Sequence, residues 1–452
     1  MKIPELQKLL KTLDVKPSRK LGQNFLMDDS ASQWIVEQLD IRPSDTIVEI
    51  GPGLGALTKH MVGRPRKLIL IERDKKFADY LREHYAGHGW KLEVINADAA
   101  KFDVRPLFKE GKVKLIGNLP YSAATPILEN FMDPPSPIDM AVVMIQKEVA
   151  ERICAEPRTK QYGVLSTIIQ RRWNPLLLKT VGPALFYPRP EVDSTIIKLE
   201  QRDKNAWPQH SPETFREVVK KGFAQRRKQL HNNLSVTGEK WEEIAEKLHL
   251  ETSARAEELT VRQWVSLANQ FDKHPAKDLG PSNDELLDVV DEHDLFLERV
   301  RRSDIHKRKL LHRAVHVFLF NKDGEIYLQK RSHHKDTHGE KWDSSASGHL
   351  DSGEKYADAA VRELKEELFV RPRKSLERIA KLKAGPETDN EFIELYRCDF
   401  SGKIRTHSSE IDCGGFFPLE DVADWVDDRP GDFATGFVTC FRHFIIKGFS
   451  AK

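Results

Sequence analysis

Five short apolar runs punctuate the first 150 residues: DTIVEIG (45–51), KLILIE (67–72), KLEVINAD (91–98), KLIGN (114–118) and AVVMIQ (141–146). Each is β-branched or apolar along most of its length, and each is followed by enough chain for a helical crossover. That pattern predicts a parallel sheet with helices on both faces. Past residue 200 the period changes. SPETFREVVKKGFAQRRKQLHNNL (211–234) and WEEIAEKLHL (241–250) look helical and predict an all-α appendage. DKHPAKDLGPSN (272–283) has two prolines, one glycine and no apolar period, so it reads as a linker. Behind it, HRAVHVFLFNKDGEIYLQKRS (312–332) sets two strand-like runs around Lys322-Asp323-Gly324, a hairpin signal. EKYADAAVRELKEEL (354–368) then carries a long helical pattern. The fold class expected is α/β over 1–200, with a helical subdomain over 201–272, a linker at 273–283 and a separate α+β domain over 284–452.

Composition narrows the setting. A chain of 452 residues with 39% hydrophobic and 31% charged residues is an ordinary soluble mixture with length for several cores. No run of 18 apolar residues occurs, which argues against a membrane span. MKIPELQKLLKTLDVKPSRK lacks the apolar core of a secretory signal and carries acids that a transit peptide avoids, so a cytoplasmic chain is expected. Cys154, Cys398, Cys413 and Cys440 are scattered and read as reduced thiols, with no zinc-knuckle spacing. Residues 1–272 hold 42 Lys+Arg against 36 Asp+Glu, a surplus of +6, whereas the remainder stands at −4. The basic half is the one expected to meet a polyanion.

VEIGPGLGALT places Gly51, Gly53 and Gly55 directly after a strand and before a helix, where glycine lets the backbone approach a ligand. The spacing is GxGxG. Neither the dinucleotide pattern GxGxxG nor the Lys-Ser/Thr of a P-loop is present, so a phosphate cradle is not the first choice. Glu72 ends the second strand, where a carboxylate accepts both hydroxyls of a ribose. Asp98 ends the third, within reach of an adenine amino group. Ribose and adenine without phosphate suggest S-adenosylmethionine; the alternative is a plain strand-to-helix turn.

Asn118-Leu119-Pro120-Tyr121 ends the fourth strand, beside that site. Proline holds the preceding residue extended and aims the Leu119 carbonyl outward. The Asn118 side-chain oxygen and that carbonyl can then accept both hydrogens of an exocyclic amine. An aromatic amine is a poor nucleophile because its lone pair is delocalised. Gripping its hydrogens localises the pair and points it at a methyl, so positioning and electrostatics supply the rate without a separate strong base. Tyr121 would stack on the base. A surface turn is the plainer reading of the tetrapeptide taken alone.

KLGQNFLMD (20–28), VEIGPGLG (48–55), NLPY (118–121), MIQKEV (144–149) and FYPRPEVDS (186–194) resemble, in order and approximate spacing, the small-subunit rRNA adenine N6,N6-dimethyltransferases of the KsgA type. The resemblance covers about residues 1–272 and implies a Rossmann-like methyltransferase sheet. It implies that Asn24, Leu26, Gly51, Gly53, Glu72, Asp98 and Asn118 contact S-adenosyl-L-methionine. Asn118, Leu119, Tyr121 and Phe186 would form the catalytic set, with Tyr121 and Phe186 sandwiching the target adenine. The products would be two adjacent dimethyladenosines in the 3′-terminal hairpin loop of 16S rRNA within the immature small subunit. A hairpin-loop adenine leaves its stack at little cost. KKGFAQRRKQL (220–230) is expected as a basic helix against the RNA backbone, or else as a solvated face. Two other readings stand beside this one: an RNA-binding assembly factor whose methylation is dispensable, and a large-subunit rRNA adenine methyltransferase.

In the second half, Gly348, Glu354, Arg362-Glu363, Glu366 and Glu367 follow the spacing of a Nudix box. Positions 363, 366 and 367 share one helical face, and three carboxylates there call for a cation such as Mg²⁺ or Mn²⁺. The glycine expected two residues after the last glutamate is Phe369. The resemblance implies attack of a metal-bound water on a small diphosphate substrate. The wider pattern is similar to the branch that includes isopentenyl-diphosphate isomerase, but Ser347 stands where that enzyme needs a cysteine, and isomerisation is not expected. The extra metal site of that branch would draw on His306, His312 and His349, for which a structural role is equally open.

Overall fold

The computed structural model describes residues 3–17, 23–87, 91–275, 286–335 and 337–448. They fall into two compact units, 1–208 with 215–268 and 209–214 with 269–452. Most of the expected linker lies outside the described residues.

All five runs expected as strands in the first unit are strands. They stand in the order Leu92–Asn96, Lys67–Glu72, Thr46–Ile50, Val113–Asn118, Ile138–Gln146, and every neighbouring pair among them is parallel. The sheet is not parallel throughout. Ser194–Gln201 runs antiparallel to Ile138–Gln146, and Trp173–Val181 antiparallel to Ser194–Gln201. Loop 182–193 joins these last two strands without a crossover helix, which is the connection an antiparallel pair permits. Alternate residues feed two cores. Val48, Ile50, Ile69, Ile71 and Leu115 pack on one side, and Ile47, Leu68, Leu70 and Ile116 on the other. Burial on both faces is why these strands read as continuous apolar runs.

The single basic helix expected at 220–230 is not formed. One helix ends at Gly222 and the next spans Leu230–Leu234, with turns between them. Gly222 lies against Trp264, where a Cβ would meet the ring at 2.4 Å. The Asn233 amide donates to the carbonyls of Gly222 (2.6 Å) and Gln225 (3.0 Å), satisfying groups that a continuing helix would have used. Arg226, Arg227 and Lys228 are therefore carried on an exposed turn.

In the second unit a seven-stranded mixed sheet is built around His312–Phe320, which is parallel to Glu391–Asp399 and antiparallel to Ala346–His349. The expected hairpin forms: Phe320 pairs with Ile326 across a turn in which Gly324 takes φ 77°. The helix Tyr356–Leu368 buries Ala359, Ala360, Leu364 and Leu368 on Val315, Val317 and Leu319 of the sheet. Among the described residues no helix is long and apolar enough to cross a membrane.

Candidate functional site

The strand order reverses direction at Thr46–Ile50, whose neighbours are Lys67–Glu72 on one side and Val113–Asn118 on the other. Ligands in such sheets bind beyond the carboxyl ends at that switch point, and a cavity opens there. Gly51 (φ 64°) and Gly53 (φ 56°) turn the chain out of the strand in a backbone region that L-residues with a Cβ avoid. Asn24, Leu26, Gly51, Gly53, Glu72, Asp98 and Asn118 all line this cavity. Glu72 is 6% exposed and accepts from the backbone N–H of Gly53 (3.0 Å) and of Asp74 (2.8 Å), one on each oxygen. Burial raises its pKa while those amides oppose the rise, and each oxygen keeps a lone pair for a further donor. Asp98 lies two residues beyond the end of its strand and accepts from Ala100 N (3.1 Å).

The Asn118 amide is oriented by its own contact: Nδ2 donates to the Asn24 carbonyl at 3.0 Å. Its Oδ1 is thereby left as the acceptor on the other side of a cavity-lining side chain. The neighbouring Leu119 is enclosed at 1% exposure, its amide bonded to the Met144 carbonyl at 3.0 Å. Tyr121 is half-buried and does not line the cavity; its hydroxyl shares a 2.6 Å hydrogen bond with Ser194 Oγ, tying the end of NLPY to the end of FYPRPEVDS. Phe186 is 5% exposed, pairs with Leu26 and belongs to the core on that side of the sheet.

In the second unit, Glu363 and Glu367 are buried and Glu366 is turned outward. Burial and the Glu367 carboxylate push Glu363 up to about 8, and burial also raises Glu367. Two carboxyl groups that resist ionisation when facing each other fit a cation that would remove the conflict. Glu367 accepts from Gln329 Nε2 (2.9 Å) and Ser347 N (3.1 Å). Arg362 bridges Glu354 and Glu363, the latter at 2.7 Å, and lies 3.4 Å from Glu366. Phe369 closes the helix in a left-handed conformation, φ 54°, the conformation in which glycine is usual.

Among the described residues the one convergent trio of nitrogen, sulfur or carboxylate ligands is His306, His312 and His349, with ligand atoms within 4.8 Å of one another. Their separation along the chain does not announce this; adjacent strands bring the second and third together. His312 Nδ1 lies 3.0 Å from the Leu310 carbonyl, which assigns the proton to Nδ1 and leaves the lone pair of Nε2 toward the cluster. The Nε2 atoms of His306 and His312 are buried without a hydrogen-bond partner, although Glu391 lies 3.4 Å from the latter. Glu391 also bonds His349 at 3.0 Å. Orphaned imidazole nitrogens beside a carboxylate fit a transition ion.

Residues 15–273 match the family model described as ribosomal RNA adenine dimethylase. The chain belongs to the ribosomal RNA adenine dimethylase family. A ribosomal RNA small subunit methyltransferase A of Francisella tularensis is 40% identical to the dimethylase half over 256 residues, spanning 56% of this chain and 97% of that protein. The counterpart in Alkaliphilus oremlandii is 36% identical over 276 residues, 59% of this chain and 96% of that protein. Residues 310–434 match the NUDIX domain model. Among solved structures, the 23S rRNA methyltransferase ErmE is similar at 26% identity and a TM-score of 0.46, over 55% of this chain and all (100%) of that one. DR0079 from Deinococcus radiodurans is similar at 27% identity and a TM-score of 0.32, over 35% of this chain and 98% of that one.

The dimethylase cavity also holds residues that sequence reasoning passed over, among them Phe25, Glu49, Asp74 and Phe77. Glu49 left a readable signal, a lone acid inside the buried strand TIVEI. It is 1% exposed, accepts from Thr58 Oγ1 at 2.7 Å, and burial pushes it up to about 8. Phe25 and Phe77 left none, because their edge-on contact at 5.6 Å is made between distant segments.

Proposed function

We propose that the dimethylase half transfers methyl groups from S-adenosylmethionine to N6 of two adjacent adenosines in the 3′-terminal hairpin loop of 16S rRNA. The orientation of the Asn118 amide at the cavity is the observation that carries this reading. Glu72 would take the ribose hydroxyls and Asp98 the adenine amino group of the donor, with the Gly51–Gly53 turn admitting it against the backbone. When bound, the donor supplies a methyl on an electrophilic sulfonium. Asn118 Oδ1 and the Leu119 carbonyl accept the two N6 hydrogens of the target, so that the nitrogen lone pair is localised and aimed. Tyr121 and Phe186 are assigned to the two faces of the target base, an arrangement that requires Phe186 to leave the core in which it pairs with Leu26. The exposed turn carrying Arg226, Arg227 and Lys228 would neutralise RNA phosphates.

For the Nudix half the reading is metal-dependent hydrolysis of a small diphosphate compound. Glu363, Glu366 and Glu367 would hold Mg²⁺ or Mn²⁺, which supplies charge stabilisation on the phosphates. The role of Arg362 is to hold Glu363 and Glu354 in place.

Methyl transfer to immature small subunits, followed by primer extension on both rRNAs, tests the first assignment. Stops at two adjacent adenosines near the 3′ end of 16S rRNA support it, and stops in 23S rRNA would replace it with the large-subunit reading. RNA binding without methyl transfer would leave an assembly factor. For the Nudix half, nucleoside diphosphate derivatives and prenyl diphosphates are screened with Mg²⁺ and Mn²⁺. Activity lost in the double variant Glu366→Gln, Glu367→Gln supports the assignment, and no hydrolysis across the screen counts against it.

A further inference from the structure

The dimethylase match begins at residue 15, yet a helix upstream of it reaches the cavity. This helix, Ile3–Thr12 (α1), is amphipathic: Leu6 and Leu10, one turn apart, are 0% and 5% exposed while most of its other positions face solvent. Both leucines pack in a small core with Phe77, joined by Phe25, Leu54 and Tyr187. Only Leu6 of the two also lines the cavity.

α1 is fastened to elements of the site from its middle and from just beyond its C-terminal end. Gln7 Nε2 donates to the Tyr187 hydroxyl at 3.1 Å, next to Phe186. Beyond its last turn, Asp14 takes φ 51°, and Lys76 Nζ reaches both its carbonyl (2.5 Å) and its carboxylate (3.0 Å). Lys76 belongs to the helix Lys75–His84, whose N-cap Asp74 lines the same cavity. A ten-residue helix is marginal by itself in water, so α1 owes its order to this docking.

We propose that α1 is part of the methyl-donor site, with Leu6 as a donor-positioning residue that closes the cavity wall beside Phe77. The proposal rests on the donor-binding reading above. A bound nucleoside extends the apolar surface on which Leu6 sits, and Leu6 in turn keeps water from that side of the ligand. Leu10 has the same packing partner and no share in the cavity wall, so it separates a binding role from a purely structural one.

S-adenosylhomocysteine binding is measured by calorimetry on the full chain for wild type, Leu6→Ala, Leu10→Ala and Leu6→Met. Leu6→Ala is expected to weaken binding about tenfold and to speed release, Leu10→Ala to change it less than twofold, and Leu6→Met to restore it; a tenfold change is about 1.4 kcal/mol. Equal weakening by both alanine variants, or none from Leu6→Ala, overturns the proposal. Should Leu6→Ala fail to fold, amide exchange in wild-type α1 decides: protection that rises with saturating S-adenosylhomocysteine supports it, and unchanged protection overturns it. Wild-type protein that binds no S-adenosylhomocysteine sinks the donor reading itself.

Discussion

Asn118 Nδ2 donates to the main-chain carbonyl of Asn24 at 3.0 Å, across a separation of 94 residues. One hydrogen bond thereby joins the NLPY tetrapeptide to the GQNFL segment and decides which way the amide faces. Asn118→Ala removes both the tie and the acceptor. Methyl transfer is expected to fall about a hundred- to a thousandfold, the range for a lost positioned oxyanion-type group, while S-adenosylhomocysteine binding weakens but stays measurable. Full activity in single-turnover assays would remove Asn118 from the catalytic set.

Glu49 is held protonated in the folded dimethylase half, up to about 8, because burial disfavours its charge. The unfolded chain releases that proton near the ordinary carboxylate pKa. Between those two values the native state binds more protons than the unfolded state, so stability falls as pH rises, by up to roughly 1.4 kcal/mol per pH unit for one group. Glu49→Gln keeps the shape and removes the titration. Its melting temperature relative to wild type is expected to be higher at pH 8 than at pH 5, and a constant offset across that range would show that Glu49 ionises freely.

Gly348 leaves the space that Glu363 occupies: a Cβ there would meet the Glu363 carboxylate at 2.1 Å. Gly348→Ala must displace that carboxylate, which Arg362 anchors at 2.7 Å. Mn²⁺ affinity, followed by electron paramagnetic resonance, is expected to drop at least about tenfold, as for loss of groups that orient metal ligands, with the fold retained. Wild-type affinity would separate Glu363 from the metal.

The histidine trio gives a separate prediction. His306 is held down to about 4 by burial and by His349 and His312, so it stays a neutral ligand at pH 7. Protein purified without chelator is expected to carry close to one equivalent of a transition ion by mass spectrometry. His312→Ala should lose it, whereas Glu366→Gln should not. Metal content unchanged in His312→Ala would make the trio structural.

Much of the architecture was written locally. The five strand runs, the GxGxG turn and the acids at or just past the ends of the second and third strands are short-range patterns, because backbone hydrogen bonding and burial on both sheet faces restrict residue type position by position. The Nudix spacing places Glu363, Glu366 and Glu367 on one helix for the same reason. Which of the three is buried was not legible. Glu363 and Glu367, one turn apart, share the buried face, and Glu366 faces outward because it is rotated about 100° from Glu367 around the helix.

Local pattern also misled where long-range contacts decide. The helical period of 211–234 is broken because Gly222 meets Trp264 and Asn233 takes up the freed carbonyls. The final strands turn antiparallel because loop 182–193 returns directly, and His306, His312 and His349 converge only once the strands of the last two pair and the helix Arg302–Arg308 brings His306 against them. The chain's own order determined the elements and the chemistry carried at their ends. Distances between residues far apart in sequence, and hence which side chains share a cavity, a proton or an ion, were decided by packing, since a contact between remote segments imposes no period that a single sequence displays.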